Sequence, residues 1–170
     1  MHNAESVSGY VQAMPFGTTA AIPMRLQHWP FPLKEKRAKF TADYAETLRA
    51  LKGCSDANIL FEQQGILIAA ATANLLLYRH GQWWTPKADD GVLSGVIRAH
   101  LIKKDIVVES QCPVAWLAEC EAVALCNSGV FIRRVAEITD LRCFDVQHPA
   151  FDLLTQALAG ETGVPKEMNL

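Results

Sequence analysis

Lys39 and the residues that follow it form the first group whose side chains could do chemistry. A lysine at the mouth of a helix that packs on a sheet can lose hydration. That loss lowers the pKa of its amine and frees the neutral form for imine formation with an aldehyde. Tyr44 lies five residues further on. The alternative is a solvated lysine, because Lys39 ends the charged run that starts at Lys34. The residues alone leave both interpretations open.

The segment 91–98, Gly-Val-Leu-Ser-Gly-Val-Ile-Arg, is a second group of interest. Its glycines lead into a helical pattern. The unpaired N–H groups at the helix start and the helix dipole would both favour an anion there. The turn Asn127-Ser128-Gly129 follows an apolar strand pattern and could add a hydroxyl and further amides to the same site. A plain helix start and an ordinary turn are the alternatives.

Asn74 ends a polar interruption, Ala71-Thr72-Ala73-Asn74, within an apolar pattern. It either belongs to a site or is a buried amide whose hydrogen bonds are satisfied. The sequence has no P-loop, Rossmann glycine fingerprint, nucleophile-elbow serine or zinc-protease helix motif. A functional prediction therefore depends on the order and spacing of several weak features.

Short strands dominate the elements that must position these residues. Apolar alternation and turn residues predict strands, the first four of them paired as two hairpins, at 57–62, 66–69, 74–78, 82–85, 105–109, 121–126 and 130–138. Helical spacing predicts helices at 39–53, 94–102, 114–120 and 148–159, with Ser94 suited to capping the second. The irregular alternation favours an α+β or pseudo-barrel fold over a doubly wound sheet.

Length and proline content predict one domain with extended ends. Residues 1–35 contain four prolines and are expected to form an extended arm, with 20–26 as an edge strand. The main domain is expected over 36–160, followed by a polar tail at 161–170.

Composition excludes several classes of function. Half of the 170 residues are apolar, and the net charge is −2 with both signs interspersed, which argues against nucleic acid as a partner. The five cysteines show no Cys-x-x-Cys pair, so neither a disulfide framework nor a metal site is expected. The start of the chain lacks a signal-peptide pattern, and the longest apolar run falls short of the ~20 residues of a membrane helix. We expect a soluble, cytoplasmic protein without membrane contact.

Taken in order, the motifs resemble the C-terminal large domain of the fold-type IV pyridoxal-phosphate (PLP) enzymes. This is the class IV aminotransferase and aminodeoxychorismate lyase family. The resemblance covers roughly residues 36–138 and implies the large-domain fold of D-amino-acid aminotransferases, a short-stranded pseudo-barrel with flanking helices. It is carried by Lys39-x4-Tyr44, Gly65, Thr72-Ala73-Asn74, Gly81, Thr85-Pro86, the segment from Gly91 to Arg98, and Cys126-Asn127-Ser128.

The resemblance also implies roles for individual residues. Lys39 would form the Schiff base with pyridoxal 5′-phosphate and act as the catalytic acid and base. Tyr44 would lie near the phenolic oxygen of the cofactor, the amides of Val96 and Ile97 would hold its phosphate, and Ser128 would complete the phosphate site. The Asn-Ser pair is closer to the lyases and Lys39-x4-Tyr44 is closer to the aminotransferases, so the branch stays open.

Two departures from the family pattern bear on activity. Five residues before the asparagine that Asn74 matches, these enzymes carry a glutamate that pairs with the pyridine nitrogen, and this chain has Ala69. These enzymes also have a small domain before the lysine, which supplies an arginine to the phosphate. Only 38 residues precede Lys39 here, with Arg25 or Arg37 as possible substitutes.

The leading hypothesis is a PLP-dependent enzyme that acts on an amino acid or an amino-substituted carboxylate, by transamination or elimination. The rival is a degenerate, inactive homologue that serves as a binding or assembly module. An exposed apolar surface on the cofactor side is expected in both cases, and a homodimer is the natural way to cover it.

Overall fold

The computed structural model describes residues 20–28, 58–88 and 92–159. Within these ranges the chain forms one curled mixed sheet flanked by helices. The strands are β1 Ile22–His28, β2 Asn58–Gln63, β3 Ile66–Ala70, β4 Asn74–Arg79, β5 Gln82–Pro86, β6 Val107–Ser110, β7 Ala122–Asn127, β8 Phe131–Ile138 and β9 Arg142–Cys143. The helices are α1 Val96–Lys103, α2 Ala150–Leu158 and a 3₁₀ helix at Val114–Ala118.

The two predicted hairpins are confirmed as β2–β3 and β4–β5. Each is closed by a two-residue turn in which both residues have positive φ, Gln64 and Gly65 in the first and His80 and Gly81 in the second. Such turns match the natural twist of paired strands, and a glycine at the second position adopts that conformation without a steric cost. Because this information is local, the hairpins could be read from sequence.

The sheet closes back on itself. Its strand order is β3-β2-β1-β8-β7-β4-β5-β6, with β9 paired to β8. At the β3 end, the N–H of Leu67 donates to the carbonyl of Cys112 at 2.8 Å, and the N–H of Val114 donates to the carbonyl of Gly65 at 2.8 Å. The segment after β6 therefore bonds to β3 at the other end of the order. The predicted α+β pseudo-barrel is confirmed.

The two faces of the sheet bury different cores. One face packs side chains such as Leu60, Leu75 and Leu125 against each other inside the curl. The other face receives α1 and α2, where Trp83 is 1% exposed and its indole N–H donates to the carbonyl of Ala150 at 3.0 Å. This second core fixes the position of α1 on the sheet, and the start of α1 borders the site described below.

The expectation of an edge strand near residue 20 is wrong. β1 lies inside the sheet, paired in parallel with both β2 and β8. Pro23 is accommodated because the register with β8 shifts between Ile22 and Pro23, and a bulge is one of the few interior positions where the missing N–H of a proline is tolerated. Part of the expected extended arm is thus integral to the sheet.

The other predicted elements in the described ranges agree with the structure within a few residues, but one predicted cap residue is wrong. The helix expected to be capped by Ser94 begins at Val96, and Gly95 holds the N-cap position. The predicted helix at 39–53 and the tail at 161–170 lie outside the described residues. No helix in the described ranges is long and apolar enough to cross a membrane.

Candidate functional site

A cavity of about 260 Å³ opens at the end of the sheet where β3 and β7 end and β4 and α1 begin. It is lined by residues 69–74, 93–96, 127 and 128. Ala70, Ala71 and Asn74 in its wall are buried, whereas Thr72 and Ser128 are exposed at its rim. The volume is close to the lower end of the range of roughly 300–1,000 Å³ common for small-molecule sites. None of these lining residues has an ionisable side chain.

The start of α1 supplies backbone donors to this cavity. Gly95, the N-cap residue, is extended at φ −71° and ψ 148°, and no side chain caps the helix. The first N–H groups of a helix have no acceptor within it, so those of Val96 and Ile97 are available to an anion at the positive end of the helix dipole. The side chain of Ile97 itself is 7% exposed and packs in the core with α2, away from the lining.

Asn74 holds the segment that precedes α1. It is 5% exposed, and its Nδ2 donates to the carbonyl of Leu93 at 2.7 Å. A Cβ atom on Gly95 would lie 2.2 Å from Oδ1 of Asn74, so a larger residue at this position requires Asn74 or the helix start to move. Asn74 is therefore a buried, hydrogen-bonded amide, as one of the two interpretations of the sequence predicts, and it also lines the cavity.

The turn after β7 forms the opposite wall. Oδ1 of Asn127 accepts hydrogen bonds from the N–H groups of Gly129 and Val130, both at 2.9 Å. Its Nδ2 donates to the carbonyl of Thr72 at 3.0 Å. Ser128, between these anchors, is exposed and lines the cavity. Sequence reasoning treated Asn127 only as the neighbour of Ser128 and missed its bond to a residue 55 positions away.

Arg98 connects α1 to the sheet on the side away from the cavity. It is 2% exposed, donates to the carbonyl of Pro86 at 2.8 Å and forms an ion pair with Glu109 on β6. The hydroxyl of Thr85 donates to the carbonyl of Leu75 at 2.8 Å. The Thr85-Pro86 pair and Arg98 are therefore structural supports of the cavity rather than part of its lining.

Ala69 on β3 lines the same cavity and is partly exposed. It sits among Ile68, Ala70 and Ala71, all of them apolar and buried. The described lining thus provides donors for an anion on the side of α1 and Ser128, and no carboxylate on the side of Ala69.

The structure brings Val96 and Ser128 to one cavity together with Asn74 and Ala69. Lys39 and Tyr44 lie outside the described residues. The functional roles of all five predicted site residues, Ile97 included, stay predictions. Among the described side chains, no group of three or more His, Cys, Asp or Glu residues could hold a metal ion.

The chain is thus a curled mixed sheet in which an uncapped helix start borders a cavity at one end. Residues 2–138 match the family model described as amino-transferase class IV, and the chain belongs to this family. A candidate aminodeoxychorismate lyase from Schizosaccharomyces pombe is 35% identical over 51 residues, which are 30% of this chain and 22% of that protein.

Solved structures share the fold at low sequence identity. A candidate 4-amino-4-deoxychorismate lyase from Legionella pneumophila superposes with a TM-score of 0.66 at 24% identity, over 82% of this chain and 56% of that one. An aminotransferase from Brucella abortus, bound to the cofactor PLP, superposes with a TM-score of 0.67 at 18% identity, over 85% and 56% of the two chains. The expected large-domain fold is confirmed. The chain spans little more than half the length of these two proteins.

Proposed function

We propose that this chain is the cofactor-carrying part of a PLP-dependent class IV aminotransferase or aminodeoxychorismate lyase. Its substrate class would be an amino acid or an amino-substituted carboxylate. The observation that carries the proposal is the convergence of the α1 start, the Ser128 turn and β3 on one cavity, in a chain of this family. The family and the PLP-bound relative indicate pyridoxal phosphate as the cofactor.

The described residues fit the phosphate end of that cofactor. The amides of Val96 and Ile97 and the hydroxyl of Ser128 are neutral donors, and the helix dipole adds partial positive charge. No lining side chain in the described ranges carries a negative charge. The fit to the ring end of the cofactor is poorer than the fit to its phosphate end. The wall at Ala69 has no carboxylate, so a protonated pyridine nitrogen beside it would lack a counter-charge.

PLP, when bound, supplies an aldehyde carbon for covalent attachment of an amine and an electron-withdrawing ring. Lys39 would hold the cofactor through its Nζ and later carry the proton removed from the substrate's α-carbon. Tyr44 would hydrogen-bond the phenolic oxygen of the ring. Val96, Ile97 and Ser128 would fix the phosphate, so that the reacting carbon keeps a constant place relative to Lys39.

A second candidate function follows from Ala69. A chain that keeps the phosphate site but lacks a carboxylate for the ring nitrogen would bind the cofactor and convert substrates slowly. It would serve as a binding or assembly module.

Large apolar side chains at the cavity rim, Leu93 at 50% and Val96 at 74% exposed, support the further proposal that this face is covered by a second copy in a homodimer. A cytoplasmic location is part of the same proposal.

Borohydride reduction tests the assignment of the lysine. The full chain, incubated with PLP, is expected to show the long-wavelength absorbance of lysine-bound cofactor, and reduction should fix the label on the peptide that contains Lys39. Lys39→Ala should abolish both signals. Lys34→Ala and Lys36→Ala change lysines of the same charged segment, and as matched controls they should keep both signals. Label on Lys34 or Lys36, or no label, would refute the role of Lys39.

A further inference from the structure

Asn127 uses its side chain to connect two walls of the cavity. An amide side chain has two acceptor sites and two donor hydrogens. Here both acceptor sites serve the amides of Gly129 and Val130, and one donor reaches the carbonyl of Thr72 in the β3–β4 turn. Two hydrogen bonds therefore stabilise the turn after β7 locally, and a third connects it to the β3–β4 turn on the other side of the cavity opening.

This arrangement determines which groups of the turn remain available to a ligand. The amides of Gly129 and Val130 are occupied by Asn127. Within the described part of the chain, neither the N–H nor the hydroxyl of Ser128 has a hydrogen-bond partner, although Ser128 lines the cavity. Unpaired donors beside an uncapped helix start form a suitable environment for an anionic group with several acceptor oxygens.

We propose that Asn127 is a positioning residue, which holds the turn that carries Ser128 to the β3–β4 turn and so presents Ser128 to the cofactor's phosphate. The inference rests on the proposed function and adds a residue to which the family resemblance assigned no role. Asn127 acts through the turn. Without its acceptor oxygen, the amides of Gly129 and Val130 lose their partner, and without its donor the turn is no longer held to Thr72.

Comparison of PLP with pyridoxal, which lacks the phosphate, separates positioning from a general loss of structure. Binding of each to the full chain is measured by absorbance titration, with thermal unfolding recorded in parallel. Asn127→Ala is expected to weaken PLP binding about tenfold, the effect of losing one hydrogen bond to a charged group, and to leave pyridoxal binding within about twofold.

Asn127→Asp keeps the acceptor atoms for the two amides but loses the donor to Thr72 and adds a negative charge near the phosphate. It should fold even if Asn127→Ala does not, and it should also lose affinity for PLP selectively. Asp145→Ala is the matched control, because Oδ1 of Asp145 accepts the N–H of Gln147 at 2.8 Å in a similar turn outside the cavity. This control should bind both compounds as the wild type does.

A double-variant cycle tests whether Asn127 acts through Ser128. Ser128→Ala and Asn127→Ala together should weaken PLP binding by less than the product of the two single effects, because they disturb one shared contact. A loss equal to that product, or an equal loss of PLP and pyridoxal affinity in Asn127→Ala and Asn127→Asp, would overturn the positioning role. A wild-type chain that binds PLP no better than pyridoxal would instead refute the phosphate site of the proposed function.

Discussion

Asn74 and Gly95 are in such close contact that a single methyl group cannot be placed between them. A Cβ on Gly95 would approach Oδ1 of Asn74 to 2.2 Å, while Nδ2 of the same side chain donates to the carbonyl of Leu93 at 2.7 Å. Asn74 lies at the start of β4, and Gly95 is the residue before α1. The contact therefore sets how the start of α1, with its free amides, meets the sheet.

Gly95→Ala is expected to lower the free energy of unfolding by about 1–3 kcal/mol, because the buried side chain of Asn74 must move or the helix must shift. Gly129→Ala is the matched control, since a Cβ there would meet Oδ1 of Asn127 at an ordinary 3.4 Å and should change stability by no more than about 0.5 kcal/mol. Urea unfolding of both variants measures the difference.

The clash itself can be tested with a second substitution. In an Asn74→Ala background the side chain that blocks the methyl group is gone, so Gly95→Ala should cost less than in the wild type. An equal cost in both backgrounds would mean that Gly95 is required for another reason, and the close contact would not explain the glycine.

The elements that sequence predicted well are those specified by neighbouring residues. The hairpin turns at Gln64-Gly65 and His80-Gly81 carry their own conformational preference, and the strands beside them alternate clearly. The placement of β1 was missed because it depends on pairing with β2 and β8, which lie about 30 and 110 residues away in the sequence. A proline near its start suggested an edge, and the bulge that accommodates Pro23 is a tertiary feature.

The candidate site also combines features that the sequence predicts with features that depend on the tertiary structure. Family resemblance selected Val96 and Ser128, and both line one cavity. Neither the bond between Asn127 and Thr72 nor the contact between Asn74 and Gly95 could be read from the sequence, because each joins segments whose proximity depends on the completed sheet. The sequence feature that could have drawn attention to Asn127 is a polar residue at the end of an apolar strand.

We expect the buried cysteines to make the stability of the fold sensitive to alkaline pH. Burial raises the pKa of the thiols of Cys126 and Cys120 to about 12, against the opposing effect of nearby arginines. In the unfolded chain the pKa of a cysteine thiol is about 8.5. Between these two values the unfolded state releases protons that the folded state retains, so stability should fall as pH rises from about 9 to 12.

Unfolding free energies measured between pH 8 and 10.5 check this direction. The double variant Cys120→Ala/Cys126→Ala should lose less stability over that range than the wild type, whereas Cys143→Ala, which changes an exposed cysteine, should behave as the wild type. In a Cys54→Ala background at pH 8, a thiol reagent should label Cys143 and spare Cys120 and Cys126 until the chain unfolds. Rapid native labelling of Cys126 would contradict its burial.

The alanine at position 69 provides the test that separates a working enzyme from a retained fold. Ala69 is partly exposed in the cavity wall, so a longer side chain there can reach the cavity without entering the core. If it faces the pyridine nitrogen of bound PLP, Ala69→Glu should supply a counter-charge that favours the protonated ring. The wild type should then convert amino acids slowly, and the variant should raise the single-turnover rate by about tenfold or more, since a pKa change of one unit corresponds to about 1.4 kcal/mol.

Ala70→Glu is the comparison variant. Ala70 follows on the same strand and also borders the cavity, but it is buried, at 7% exposed, and packs in the inner core. A carboxylate there should cost several kcal/mol of stability with or without PLP, since burial of an unpaired charge is unfavourable, and should bring no gain in rate. Ala69→Glu should instead be more stable with PLP than without it, as the charge gains a partner on binding. If Ala69→Glu loses as much stability as Ala70→Glu in both conditions and gains no rate, Ala69 does not face the ring nitrogen. The chain would then be better described as a family member that kept its fold for binding or assembly.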